Sequence, residues 1–152
     1  MEVDYMVLAD AAAAAEGKLY IHGGGWDTVF AQTLPTTLTA AVALRIRVPW
    51  PDTNIEHTIG LDILDADGAS ILPREPGPLR GAINMGRPAT IEVGDDQVVP
   101  IVIGLNGTAV ERFGRYVIVF EIDGQEKARA PFRVKHAQLQ QLGNPQPNQP
   151  PA

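Results

Sequence analysis

The chain contains no cysteine and a single serine, Ser70, among its 152 residues. Without cysteine there can be no disulfide bond, thiolate nucleophile, iron–sulfur cluster or cysteine-bound zinc, and this composition is typical of a reducing compartment. Ser70 lies outside a G-x-S-x-G pattern, which excludes the nucleophile elbow of the serine hydrolases. The histidines His22, His57 and His136 do not have the spacing of a zinc motif. We therefore expect no catalytic residue, no metal site and no cofactor.

Long apolar runs and export signals are also missing. Asp10 interrupts the first apolar segment well before the roughly 18 residues that a membrane span needs. Glu2 and Asp4 stand where a secretory signal would carry basic residues. We therefore expect a cytoplasmic protein that does not enter a membrane. At 152 residues, the chain has the length of one ordinary domain, which can bury a core without disulfide bonds.

Positive charge is scarce overall, because 12 basic residues face 18 acidic ones and the net charge is −6. Half of the basic residues lie between Arg112 and Lys135, where they alternate with apolar positions. No aromatic residue alternates with these cations on their own face, so the pattern does not indicate a nucleic-acid partner. Lys and Arg on an edge strand instead protect a sheet against edge-to-edge pairing.

The loop carboxylates do not indicate a calcium site. If residues 55–64 form one strand, Asp52 lies about 30 Å from Asp65 and Asp67. The segment from Asp65 to Gly68 has no glutamate downstream at the spacing of a calcium loop, and it is typical of a turn.

The clearest structural signal is a β-hairpin near the C-terminal end. Two runs of strict alternation are joined by Asp123-Gly124, a pair that provides the positive φ angles of a tight turn. The inward positions are Tyr116, Ile118, Phe120 and Ile122 in the first run and Ala128, Ala130, Phe132 and Val134 in the second. Pro131 fits an edge strand on which its missing N–H faces solvent. The segment 114–116 at the start of this hairpin is compatible with a tyrosine corner.

Other strand signals recur about every ten residues, and no long helical period is present. They cover residues 3–9, 19–21, 29–30, 38–48, 55–64, 79–85 and 98–105. The alanines at 11–15 are too few for an isolated helix, so we interpret them as a short excursion between strands. The pattern predicts an all-β fold over residues 1–135, a single antiparallel β-sandwich, immunoglobulin-like or C2-like, with about seven to nine strands. Residues 136–152, rich in Gln, Pro and Asn, are predicted to form a disordered tail.

The two tryptophans are the main candidates for binding. Trp50 lies between Pro49 and Pro51, and it is either an exposed anchor for a partner or a lid on the end of the core. Trp26 follows three glycines, Gly23 to Gly25, which we expect to form a bulge or corner that turns the indole inward. Carbohydrate-cleaving grooves usually carry several aromatic platforms, and this chain has few aromatic residues.

Several short motifs together resemble a family of small bacterial proteins known only as a domain of unknown function. They are Met1-Glu-Val-Asp-Tyr-Met6, Leu8-Ala-Asp-Ala-Ala12, Gly17-Lys-Leu-Tyr20, Gly23-Gly-Gly-Trp-Asp27, Val48-Pro-Trp50, Gly114-Arg-Tyr116 and Pro131-Phe-Arg-Val134. The resemblance covers residues 1 to about 135 and implies a cytoplasmic bacterial protein with one compact β domain. It transfers no known site, but its motifs cluster near His22, Trp26 and Asp27, which makes these three residues candidate contacts.

We therefore expect a non-enzymatic binding module whose partner is another protein or a second copy of the chain. The contact would be the sandwich end that bears Trp50, or an exposed edge strand. The alternative is a small-ligand or carbohydrate module that uses His22, Trp26 and Asp27. An enzyme ranks third, because one serine, no cysteine and three scattered histidines do not assemble a nucleophile with its base.

Overall fold

The structure is a computed structural model, and it describes residues 1–73 and 77–138. Its strands are β1 (Glu2–Ala15), β2 (Lys18–Gly24), β3 (Thr28–Ala31), β4 (Thr36–Thr37), β5 (Ala41–Val48), β6 (Glu56–Leu64), β7 (Leu79–Asn84), β8 (Gln97–Gly104), β9 (Ala109–Val110), β10 (Gly114–Ile122) and β11 (Gln125–His136). A 3₁₀ turn at Trp50–Asp52 follows β5. The predicted all-β class is confirmed. The described strands outnumber the predicted seven to nine partly because β4 and β9, two residues each, are too short to show alternation.

Two sheets make up the sandwich. The first has the order β2-β1-β5-β8 and the second the order β3-β11-β10-β6-β7, while β4 and β9 form a separate small ladder. Neighbouring strands are antiparallel except for β3 and β11, which run parallel. The core lies between the sheets, and its largest fully buried side chains are Phe120, Phe132, Leu44, Ile46, Leu61 and Ile63. Each comes from the inward face of a central strand, as the two-residue period requires.

The β10–β11 hairpin has the predicted form. Asp123 and Gly124 have φ angles of 52° and 73°, as the tight turn requires. The Tyr116 hydroxyl donates to the Arg112 carbonyl oxygen over 2.6 Å, which is a tyrosine corner. The Arg133 N–H donates to the Asp27 carbonyl oxygen beyond the hairpin. Pro131, two residues earlier, therefore directs its missing N–H toward the same side, ahead of the first β3 pair, so it leaves no ladder hydrogen bond unmade. The expected edge strand is not observed, because β11 lies between β3 and β10.

The interpretation of residues 11–15 as an excursion is wrong, because β1 continues through them without a break. These alanines pair antiparallel with residues 18–22, and the turn at Glu16-Gly17 has φ angles of 51° and 71°. Pairing with the strand formers Tyr20 and Ile21 accounts for the extended conformation, because tertiary contacts override the low strand propensity of alanine.

The C-terminal boundary lies close to the predicted one. β11 ends at His136, and the Ala137 N–H donates to the Ala31 carbonyl oxygen over 3.0 Å. Most of the predicted tail, residues 139–152, lies outside the described residues.

Candidate functional site

Residues 10–23 form a two-stranded ribbon that we call the N-terminal hairpin. β1 pairs with β5 through Ala9 and with β2 from Ala9 onward, so beyond Ala9 the two arms pair only with each other. Within the described chain, no residue of this hairpin belongs to the hydrophobic core or is among the side chains that pack against it. Tyr20 and Ile21 keep 47% and 37% of their surface exposed. The hairpin therefore presents apolar side chains to solvent.

The outer edge of β2 carries backbone groups with no strand partner. The Gly25 N–H donates to the Leu8 carbonyl oxygen over 2.9 Å. This hydrogen bond shows which residues of β2 direct their backbone N–H and C=O groups toward β1. With the observed register, every second residue of β2 directs its N–H and C=O away from β1. These residues are Lys18, Tyr20, His22 and Gly24. Among the described strands, none pairs with β2 on that side.

Proline interrupts the outer edge of β8 and the stretch of β11 that precedes its pairing with β3. The Leu105 N–H donates to the Ala40 carbonyl oxygen, so the even-numbered residues of β8 face away from β5. Pro100 therefore removes a donor from the outer edge of β8, as Pro131 does on β11. Prolines at such positions prevent an edge from pairing with another chain. The edge of β2 contains no proline, so its donors remain available.

An apolar groove of about 360 Å³ lies between β6, β7 and β8. Ile59, Leu61, Leu79 and Ile103 are among the side chains that line it, and Arg80 is the one charged side chain in its described lining. The groove runs beside the β8 edge that Pro100 interrupts. Apart from Arg80, its described lining contains no polar side chain that would orient a small ligand.

Trp26 packs against the core, as the predicted glycine corner requires. Its Nε1 is buried and has no hydrogen-bond acceptor among the described residues. A cavity of about 340 Å³ adjoins the indole, and Asp10 contributes to the lining. Gly23 has a φ angle of 60°, and a Cβ there would collide with the Asp10 carboxylate. Glycine at position 23 therefore permits the position of Asp10.

The predicted group of His22, Trp26 and Asp27 is not assembled. His22 lies on the exposed hairpin opposite Ala11. Asp27 forms an ion pair of 2.7 Å with Arg133. Hydrogen bonds from Arg133 and Thr28 hold the pKa of Asp27 below its usual value. Of the three, only Trp26 lines the cavity.

Asp10, which the sequence did not indicate as a site residue, lines the Trp26 cavity instead. The only sequence signal for it was its place in the strand that pairs with the glycines before Trp26. That signal became readable only once the β1–β2 register was known.

Trp50 is half-buried, and other groups cover it. The Arg87 guanidinium carbon lies 4.3 Å from the ring centroid, within the range of a cation–π contact. Arg87 also donates to the Trp50 carbonyl oxygen over 3.1 Å, and the Thr53 hydroxyl donates to the same oxygen over 2.6 Å. Trp50 is not among the described side chains that form the core or pack against it, so these contacts fasten the 3₁₀ turn to Arg87 and do not make the indole a lid on the core.

Two further observations concern the described residues only. No group of three or more His, Asp or Glu side chains is arranged to hold a metal ion within residues 1–73 and 77–138. In the same ranges, no helix has the length and apolar character to cross a membrane.

The fold and its surfaces define an all-β sandwich protein with an exposed N-terminal hairpin. The sequence profile of a family of unknown function, DUF6941, matches residues 4–135, and the chain belongs to this family. The resemblance inferred from the sequence motifs, to a family without a known function, is thereby confirmed. No curated protein and no solved structure gives a significant match.

Proposed function

We propose that the protein is a non-enzymatic interaction module that binds another protein chain by strand addition at the outer edge of β2. The observation that carries this proposal is the N-terminal hairpin, which lies outside the core, carries the exposed Tyr20 and Ile21, and has an outer edge that is unpaired and free of proline. The outer strands of the second sheet, β3 and β7, also lack proline, but their side chains Val29, Ala31 and Ile83 belong to the core or pack against it. Strand addition uses main-chain hydrogen bonds for affinity and alternate side chains for specificity. The absence of cysteine and the resemblance to bacterial proteins support a bacterial cytoplasmic setting.

The energetics of the hairpin support a binding role. An isolated two-stranded ribbon is marginally stable in water, and alanine, which fills positions 11–15, is a poor strand former. A third strand on β2 would satisfy the outward backbone groups of Lys18, Tyr20, His22 and Gly24. It would also remove apolar surface of Tyr20 and Ile21 from water.

Amide hydrogen exchange measured by NMR tests strand addition directly. In the free chain, we expect the outward amides of Tyr20 and His22 to exchange faster than the inward amides of Leu19 and Ile21, which bond to β1. Binding of a partner should slow the outward amides selectively. Unchanged exchange of these amides in a complex would place the interface elsewhere.

A proline variant identifies the edge in a capture experiment. Tyr20→Pro removes an outward donor, and Val93→Pro places the same residue in an exposed loop. With each full-length variant as bait in host lysate, we expect Tyr20→Pro to lose the partners that wild type and Val93→Pro retain. Retention of the same partners by all three baits would contradict the proposal. The fold of each variant is checked by its thermal unfolding midpoint.

A second candidate is a small-ligand module at the Trp26 cavity. It is favoured by the lining of the cavity, which combines the Trp26 indole, a flat apolar surface, with the Asp10 carboxylate, a hydrogen-bond acceptor. The ligand would be a small molecule with an apolar face for the indole and a donor for the Asp10 carboxylate, such as a sugar or a nucleoside. Native mass spectrometry after gentle purification is expected to show a retained ligand in wild type that is lost in Trp26→Phe. A bare mass, with no stabilisation by a panel of sugars and nucleosides, would contradict it.

A further inference from the structure

We infer that the partner at the β2 edge is a second copy of the chain, with the two β2 strands antiparallel about a two-fold axis at Ile21. The inference rests on the proposed function, since it names the partner of that same edge. It follows from the hydrogen-bonding phase of β2, from its charges and from the side chains that face each other across the axis.

The positions of the outward backbone groups along β2 determine the register of the proposed dimer. The outward residues Lys18, Tyr20, His22 and Gly24 are spaced symmetrically about Ile21, which is the midpoint of the strand. With the axis at Ile21, Lys18 meets Gly24 of the second copy and Tyr20 meets its His22. Tyr20 and His22 then form two hydrogen-bonded pairs about the axis, with about four intermolecular backbone hydrogen bonds, and Lys18 lies opposite Gly24 at each end, next to the positive φ of Gly23. Moving the axis to Tyr20 or His22 leaves one of the four without a pair inside β2.

The charges on the hairpin distinguish its two free edges. β2 carries Lys18 and no acidic residue, and the register places Lys18 opposite a glycine, so like charges do not meet. A symmetric pairing of the β1 edges about Ala13 would place Asp10 opposite Glu16, and like charges directly opposite each other are destabilising. That edge also offers only methyl groups to bury. Charge and side-chain size therefore both favour β2.

The side chains across the axis are complementary. Tyr20 of each copy faces His22 of the other on one side of the joined sheet, and aromatic cross-strand pairs stabilise antiparallel sheets. The two Ile21 side chains meet on the other side. The interface is isologous, so it closes at two copies and does not extend into a fibre.

Disulfide trapping tests the contact at the axis. The chain has no cysteine, so each introduced thiol is unique. In the proposed register, the two residues at position 21 form a non-hydrogen-bonded pair about 4.5 Å apart at Cα, a separation that a disulfide spans. Under mild oxidation, we expect Ile21→Cys to form disulfide-linked dimers and Val93→Cys, whose native side chain is 86% exposed, to form no covalent dimers, as judged by non-reducing gel electrophoresis. Equal crosslinking of both variants, or none at Ile21→Cys, would overturn the inference.

A charge exchange tests the register itself. Tyr20→Glu combined with His22→Glu places like charges opposite each other twice, whereas Tyr20→Glu combined with His22→Lys places opposite charges there. In sedimentation equilibrium, we expect the first variant to weaken dimerisation at least about tenfold relative to the second. Equal dissociation constants for the two variants would contradict the axis at Ile21. The two proteins differ at one exposed residue, so equal unfolding midpoints will show that both fold.

The same measurements separate this inference from the proposed function. If wild type is monomeric at all concentrations while Tyr20→Pro still loses captured proteins, the partner is a different chain and only the inference fails. If Tyr20→Pro alters neither dimerisation nor capture, the β2 edge is not an interface and both fail.

Discussion

Individual side chains hold the 3₁₀ turn that follows β5 in place. Trp50 carries the Arg87 guanidinium on its face, and both Arg87 and Thr53 donate to its backbone carbonyl oxygen. These contacts tie the turn to the segment after β7. At the scale of the residue, Trp50 therefore fastens the 3₁₀ turn to the segment after β7.

Trp50→Ala tests this role. We expect a loss of about 2 kcal/mol in the free energy of unfolding, because a half-buried indole and its cation–π contact are removed. Urea denaturation followed by circular dichroism measures the change, and Arg87→Met, which keeps the alkyl stem, should cost less. Unchanged stability together with loss of a bound partner would instead identify Trp50 as a protein-binding anchor.

His57 links the start of β6 to the β10–β11 turn. Its Nδ1 lies 2.7 Å from the Asp123 carboxylate, and its Nε2 lies 3.0 Å from the Asp52 carbonyl oxygen. Two acceptors favour the imidazolium, in which both ring nitrogens donate. The Asp123 hydrogen bond raises the pKa of His57 and lowers the pKa of Asp123.

Stability should therefore depend on pH through this pair. Because the pKa of His57 is raised on folding, its hydrogen bond adds to the free energy of unfolding. This contribution is full below pH 6.5, the ordinary pKa of histidine, and is lost as the pH rises through the pKa of the folded state. The lowered pKa of Asp123 gives a contribution that is full above 3.8 and is lost as the pH falls through its folded value. The ion pair of His57 and Asp123 therefore contributes fully to stability between pH 3.8 and pH 6.5.

Asp123→Asn is the matched variant, because asparagine tolerates the positive φ of the turn. In an NMR titration, we expect the pKa of His57 to be lower in the variant than in wild type. The melting temperature of the variant should also fall less between pH 6 and pH 8. Identical His57 titrations in the two proteins would show that the ion pair does not form in solution.

At the scale of the element, the open edges of the two sheets differ in how they are protected. β8 and β11 each place a proline where a donor would face outward, whereas β2 has none. Edge strands without such protection tend to pair with other chains. The outer strands β3 and β7 of the second sheet also lack proline, but they lie over the core. The proposals concern β2 because it combines an unprotected edge with a position outside the core and with the exposed side chains Tyr20 and Ile21.

Pro100→Val tests the protection of β8, because it restores an outward N–H in an otherwise apolar edge. We expect Pro100→Val to form concentration-dependent assemblies that are larger than those of wild type. Its melting temperature should differ from that of wild type by only about a few degrees. Static light scattering measures the assemblies. Pro88→Val, which adds an N–H in an exposed loop, should behave like wild type. Wild-type scattering from Pro100→Val would show that the proline has no protective role.

At the scale of the whole molecule, the folded unit reaches the end of β11. His136 pairs with Ala31 of β3, and the Ala137 N–H donates to the Ala31 carbonyl oxygen. The residues from Gly143 onward are rich in Pro, Gln and Asn and lack the apolar residues that a core needs. The predicted tail should therefore contribute nothing to the stability of the sandwich.

A chain that ends at Gln138 tests the boundary. We expect its melting temperature to match that of the full chain within about 1 °C, and the NMR signals lost on truncation to be sharp and poorly dispersed. A chain that ends at Lys135 should melt lower, because it loses the last β3–β11 contacts. A clear drop for the chain that ends at Gln138 would show that the tail packs on the sandwich.

Much of the fold could be predicted from local patterns. The alternation around Asp123-Gly124 predicted β10, β11 and their turn, since side-chain period and turn chemistry are properties of neighbouring residues. The alanines at 11–15 could not be assigned in the same way, because the pairing that extends them comes from β2. The candidate site was predicted least well, since Asp10 reaches the Trp26 cavity only through the β1–β2 register.

The sequence by itself determined the all-β class, the inward faces of the main strands and the membership of a family without a known function. Each of these follows from a short-range periodicity or from a contiguous motif. Only the tertiary structure decided that Arg87 covers Trp50 and that the outer edge of β2 is unpaired among the described strands. It also separated the three candidate contacts: His22 lies on the exposed hairpin, Trp26 packs against the core, and Asp27 pairs with Arg133. The physical reason is that the covering of a side chain and the exposure of a strand edge depend on contacts between segments far apart in the chain. The order of residues within one segment does not specify those contacts.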